Sequence, residues 1–114
     1  MTTKSDRAII EIPNAQGGKG VLKREPLITP AQLGEHCGLF AEIKLEPGCT
    51  LGFHEHHGDT ETYYITSGEG VYNQNGTKMN VKSGDVLFCP DGEGHGLDNS
   101  GTSDLVWIAL ILKS

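Results

Sequence analysis

The chain is poor in arginine: of nine basic residues only Arg7 and Arg24 are arginines, against fifteen acids, for a net charge of −6 over 114 residues. No basic stripe is present to neutralise phosphates, so no nucleic-acid partner is expected. An acidic surface is also a poor match for anionic membranes. Long apolar runs are missing too. The longest, from Leu105 to Leu112, is far shorter than the roughly 20 residues a spanning helix needs. The first seven residues, Met1 to Arg7, contain no apolar h-region, so no signal peptide is expected. Cysteine is scarce and odd in number: Cys37, Cys49 and Cys89 show no CxxC spacing. That points to reduced thiols and a cytoplasmic location. Helix signals are almost absent, confined to one short turn at Pro30–Gly34 with its N-terminal proline.

Glycine, by contrast, is abundant. Its 16 copies recur between short apolar stretches, the punctuation of an all-β sandwich or barrel. The length fits one domain spanning residues 1–114, which would bury roughly two-thirds of its unfolded surface. Such a chain needs neither disulfide nor metal to hold together. Residues 1–35 read as an N-terminal arm with edge strands, and residues 13–20 as a loop. In 39–45, Leu39, Ala41, Ile43 and Leu45 share one face, while Glu42 and Lys44 point to solvent. Segments 71–74 and 77–81 flank Asn75-Gly76, a dipeptide suited to a type I′ hairpin. The last strand, 104–112, is apolar at both parities and is expected to be covered on both faces. Two readings account for it: a central sandwich strand, or a homodimer interface with Trp107 or Ile108 toward the partner.

Two segments carry the chemistry. Residues 48–68 read Gly48-x5-His54-x-His56-x4-Glu61-x6-Gly68, and residues 84–99 read Gly84-x5-Pro90-x-Gly92-x2-His95-x3-Asn99. His54 and His56, two apart on a predicted strand, project from one face. The turn-like stretch His57-Gly58-Asp59-Thr60 reverses the chain, so Glu61 opens the returning strand beside the imidazoles. His95 arrives from the second segment behind a tight loop shaped by Pro90, Gly92 and Gly94. Three imidazoles and one carboxylate suit a divalent transition metal (Mn, Fe, Ni, Cu or Zn) better than Mg or Ca. Four protein ligands on an octahedral ion leave two positions open.

His57 has the opposite parity and is expected at the surface. Tyr63 and Ile65 share the parity of Glu61 and should point inward. Gly48, Gly68, Gly84 and Gly92 are assigned to backbone geometry at turns.

These paired motifs resemble those of the cupin superfamily, matched at every fixed position over residues 48–99. The resemblance implies a small antiparallel jelly roll or barrel, with the metal inside its mouth. It does not select an activity, because cupins include dioxygenases, decarboxylases, isomerases, lyases and non-enzymatic binders. The favoured expectation is a metal-dependent enzyme acting on a small oxygen-rich metabolite. A non-enzymatic module that binds or senses a metal and small molecule is the alternative, and a barrel with vestigial histidines a third. Tyr63 is the candidate catalytic residue, with Tyr72 a further possible carrier of protons; no free carboxylate offers an obvious base. Because a bidentate clamp on an anion could come only from Arg7 or Arg24, neutral carbonyl or polyol ligands are expected over strongly anionic ones.

Overall fold

The computed structural model describes residues 1–114, and its regular structure is almost entirely antiparallel strand. In chain order the strands are β1 (Ile10–Pro13), β2 (Val21–Pro26), β3 (Cys37–Leu45), β4 (Thr50–Glu55) and β5 (Asp59–Ser67). They continue with β6 (Glu69–Gln74), β7 (Thr77–Lys82), β8 (Val86–Cys89), β9 (Gly94–Asp98) and β10 (Leu105–Lys113). A six-stranded sheet in the order β1-β2-β3-β10-β5-β8 faces a four-stranded sheet ordered β4-β9-β6-β7. The expected all-β jelly roll is therefore the observed architecture.

Local chemistry explains several boundaries. One helical turn, α1 (Pro30–Leu33), begins where Thr29 and Gln32 cap each other reciprocally. Asn75 and Gly76 both take positive φ, at 50° and 100°, and join β6 to β7 in the two-residue hairpin the dipeptide predicts. The four motif glycines, Gly48, Gly68, Gly84 and Gly92, also take positive φ, as their assignment to turns requires. Residues 14–20 hold a short 3₁₀ turn over Ala15–Gly17.

Alternation decides the core. Ala41, Ile43 and Leu45 are buried, with Leu39 packed at the edge of the same cluster, while Glu42 and Lys44 lie on the outer face. β10 occupies the centre of the larger sheet, paired with β3 on one side and β5 on the other. Its residues Leu105, Trp107 and Ala109 are buried between the sheets. This settles the position of Trp107: it points into the barrel and not toward a partner. Val106, Ile108 and Leu110 lie on the outer face and are only half-buried, so within one chain β10 is fully covered on its inner face alone.

The second motif ends on Asn99, which holds the two segments together. Its buried amide donates to the carbonyl oxygens of Leu45 (2.8 Å) and Ser103 (2.9 Å), and its Oδ1 accepts from the Gly101 N–H at 2.9 Å. Removing it strands a buried carbonyl next to the start of the first motif. Asn99→Ala should therefore lower stability by about 1–3 kcal/mol, read as a lower midpoint in thermal or urea unfolding. An unchanged midpoint would contradict this role.

Candidate metal centre

His54, His56, Glu61 and His95 are brought together: one ligand atom from each lies within 4.8 Å of all the others. A one-residue bulge makes this possible. β4 and β9 pair Leu51 with Leu97 and then His54 with His95, so β4 carries one extra residue between these pairs. The extra residue reverses the parity of the strand, and both Leu51 and His54 consequently face the interior. Phe53, caught in the bulge, is turned outward and exposed. His54 and His95 become direct cross-strand neighbours, with ring centroids 4.7 Å apart.

His56 lies just past the end of β4. Its backbone stays tied to the Pro90–Glu93 loop: its N–H donates to Glu93, and its carbonyl accepts from Gly92. Glu61 is the first buried residue of β5, followed by Tyr63 and Ile65 as expected. His57 is exposed beside Glu55 and takes no part.

Each histidine is oriented by a bond to its Nδ1. His54 Nδ1 meets the Gly52 carbonyl at 2.9 Å, His56 Nδ1 meets Asp59 Oδ1 at 2.8 Å, and His95 Nδ1 meets the Tyr72 hydroxyl at 2.8 Å. In the tautomer whose Nδ1 proton is donated outward, each Nε2 lone pair faces inward, the arrangement that presents neutral imidazole to a metal. The inner distances fit such an ion. His56 Nε2–His95 Nε2, His56 Nε2–Glu61 Oε1 and His95 Nε2–Glu61 Oε1 are each 3.0 Å. Adjacent ligands on an octahedral ion with bonds of about 2.1 Å stand roughly 3.0 Å apart. His54 Nε2 is farther out, 3.8 Å from Glu61 Oε1. The mixed nitrogen–oxygen set with mutually adjacent donors therefore fits a divalent transition metal.

Electrostatics of the cluster follow from burial and charge. Burial pushes the Glu61 carboxyl up, but the approach of His54, the bond from His95 and the charge of the nearby imidazoles outweigh it and hold the group down at about 2. Burial also works against charging His54, yet Glu61 and the Gly52 carbonyl raise its pKa overall. At His95 burial prevails and lowers it. Tyr63, the candidate catalytic residue, is fully buried, stacks on the His95 ring at 4.8 Å, and places its hydroxyl 3.4 Å from His95 Nε2. Burial and the Glu61 charge push its phenol well above its usual range. At neutral pH Tyr63 is thus a hydrogen-bond donor and not a base. Tyr72 is likewise pushed up by burial.

The cluster opens into a cavity of about 210 Å³ between the sheets, lined by His54, His56, Glu61 and Tyr63 at one side and by Arg24, Leu22 and Trp107 at another. Sequence reasoning missed the orienting role of Asp59, although its place in the turn three residues after His56 was a usable signal. It also discounted anionic ligands because arginine is rare. Of the two arginines that could supply a clamp, Arg24 lines the cavity itself. Arg7 is instead bound to buried Glu25 at 2.7 Å.

Comparison with known proteins agrees with this geometry. The cupin domain family model matches residues 41–111, and the chain belongs to that family. It is 42% identical over 101 residues to an oxalate-binding protein of Thermotoga maritima, covering 89% of this chain and 84% of the relative. A crystal structure from the same organism, described as a predicted oxalate decarboxylase, superposes with a TM-score of 0.95 at 38% identity, covering 100% and 99% of the two chains. An RmlC-like cupin from Shewanella frigidimarina shares the fold at a TM-score of 0.80 and 19% identity, covering 100% and 90%.

One consequence can be tested without metal. Because the folded-state pKa of Glu61 lies below its usual value of 4.5, its contribution is complete above about pH 4.5 and is lost as pH falls toward 2. The metal-free protein should lose up to about 3 kcal/mol across that window. Glu61→Gln should flatten this acid limb in pH-dependent melts; an identical limb in the variant would contradict the assignment.

Proposed function

We propose that this protein binds a small dicarboxylic acid of the oxalate type at a divalent transition metal held by His54, His56, Glu61 and His95. The observation that carries the reading is the convergence of four inward donors, three of which stand 3.0 Å apart as adjacent ligands of one ion do, with His54 somewhat farther out. The 42% identity to an oxalate-binding protein supports the ligand class. When bound, such a metal supplies Lewis acidity and coordination positions for ligand oxygens.

The chain's own groups supply the rest. Gly52, Asp59 and Tyr72 fix the imidazole rings, and Glu61 remains ionised at neutral pH. Tyr63 offers a protonated phenol beside the cluster, placed to donate to a ligand oxygen and to hold a proton there. Leu51, Ile43, Ala109 and Ile111 give the cavity apolar walls that limit water. Carbon–carbon cleavage of the bound acid is the second reading, favoured by the neighbour described as a predicted oxalate decarboxylase. In it Tyr63 is the only buried proton donor next to the cluster that does not already hold a ligand histidine by its Nδ1. Tyr63 is then the catalytic residue.

Isothermal titration of manganese- or zinc-loaded protein with oxalate tests the proposal. Saturable one-to-one binding is expected, and it should vanish in His95→Ala. Tyr63→Phe should retain binding; in the decarboxylation reading it should also abolish release of carbon dioxide and formate. No heat at millimolar oxalate with loaded protein would sink the proposal.

A further inference from the structure

Two buried hydrogen-bond donors in the cavity have no partner in the protein: Arg24 Nε and Trp107 Nε1. Trp107 is completely buried, and leaving such a donor unbonded costs about 1–3 kcal/mol, so native structures rarely do so without a reason. No carboxylate pairs with Arg24. The chain's ion pairs are made by Lys4, Arg7, Lys23 and the histidines.

Register shows why the two belong together. Arg24 of β2 pairs with Ile43 of β3, and Ile43 pairs with Trp107 of β10. They occupy one inward row of the larger sheet on either side of Ile43, their backbones roughly 10 Å apart. Glu61 pairs with Ile111, four residues beyond Trp107 along β10, so the row lies about 13 Å along the strand from the Glu61 row. The tilted rings of Tyr63 and Trp107, 5.4 Å between centroids, bridge that interval. Both ends line the same cavity.

We propose that Arg24 and Trp107 form an acid-binding end of this cavity, which takes a carboxylate of the ligand whose other oxygens face the four-residue cluster. The guanidinium presents a planar fork that carboxylate oxygens match, and the indole N–H adds a neutral donor. Charge supports an acid. Arg24 is the one lysine or arginine that lines the cavity, and no carboxylate of the chain pairs with it. The inference deepens the dicarboxylate reading and rests on it.

The test uses zinc-loaded protein and two probes: oxalate, whose second carboxylate the proposal directs toward Arg24, and acetohydroxamate, which chelates a metal but carries only a methyl group beyond it. Arg24→Met should weaken oxalate binding about tenfold or more, with Arg24→Lys recovering part of the loss and Trp107→Phe showing a smaller one. Zinc content and acetohydroxamate affinity should remain as in the unaltered chain. Trp107 is the only tryptophan, so its emission should shift with oxalate in the unaltered protein and lose that shift in Arg24→Met. Equal oxalate affinity in Arg24→Met overturns the inference and leaves the metal-site reading standing. Equal loss of both probes in Arg24→Met also overturns it, showing a structural role. Binding of acetohydroxamate without oxalate removes the acid-binding end, while failure of both probes on the unaltered protein removes the dicarboxylate reading together with it.

Discussion

Three imidazole nitrogens and a carboxylate oxygen converge between the sheets, and the three buried ones, from His56, His95 and Glu61, stand 3.0 Å from one another. Lone pairs placed this close repel unless positive charge sits among them, either protons or a metal cation. The depressed Glu61 and raised His54 pKa values show how protons serve when no cation is bound. A divalent ion serves the same need with more charge. Much of the surrounding architecture keeps these four groups convergent: the β4 bulge, Asp59 at the start of β5, the Pro90–Glu93 loop and the buried Tyr72.

The Gly18–Gly52 approach shows how closely the scaffold is drawn around the centre. A Cβ on Gly52 would overlap the carbonyl oxygen of Gln16, and one on Gly18 would overlap that of Thr50. The segment containing Ala15 and Gln16 therefore lies directly against β4 and closes one wall of the cavity. The same Gly52 supplies the carbonyl that orients His54. The cavity wall and the orientation of the His54 ring thus share one backbone position.

Much of this was legible in the sequence because its signals are local. The period-two pattern of Leu39 to Leu45, the Asn75-Gly76 turn and the paired motifs each specify structure within a few residues, and all appear as expected. The parity of Glu61, Tyr63 and Ile65 was readable for the same reason. What was not legible depends on long-range pairing. The bulge between Leu51 and His54 exists only relative to β9, so no pattern within β4 reveals it. The place of Arg24 in the cavity follows from its register with Ile43 and Trp107, two strands away in the sheet. A lone arginine in an edge-strand sequence looks solvated until the opposite wall is known. Strand β10 was ambiguous for a related reason: apolar residues at both parities fit either a central strand or an interface, and only the fold places Trp107 inside.

The measurement that bears most directly on the centre is the metal content of untagged protein purified under metal-replete conditions and compared with His54→Ala and His95→Ala. The account predicts about one divalent transition-metal ion per chain, with its loss in both variants. Protein that remains metal-free while folded, or variants that retain a full complement, would contradict it.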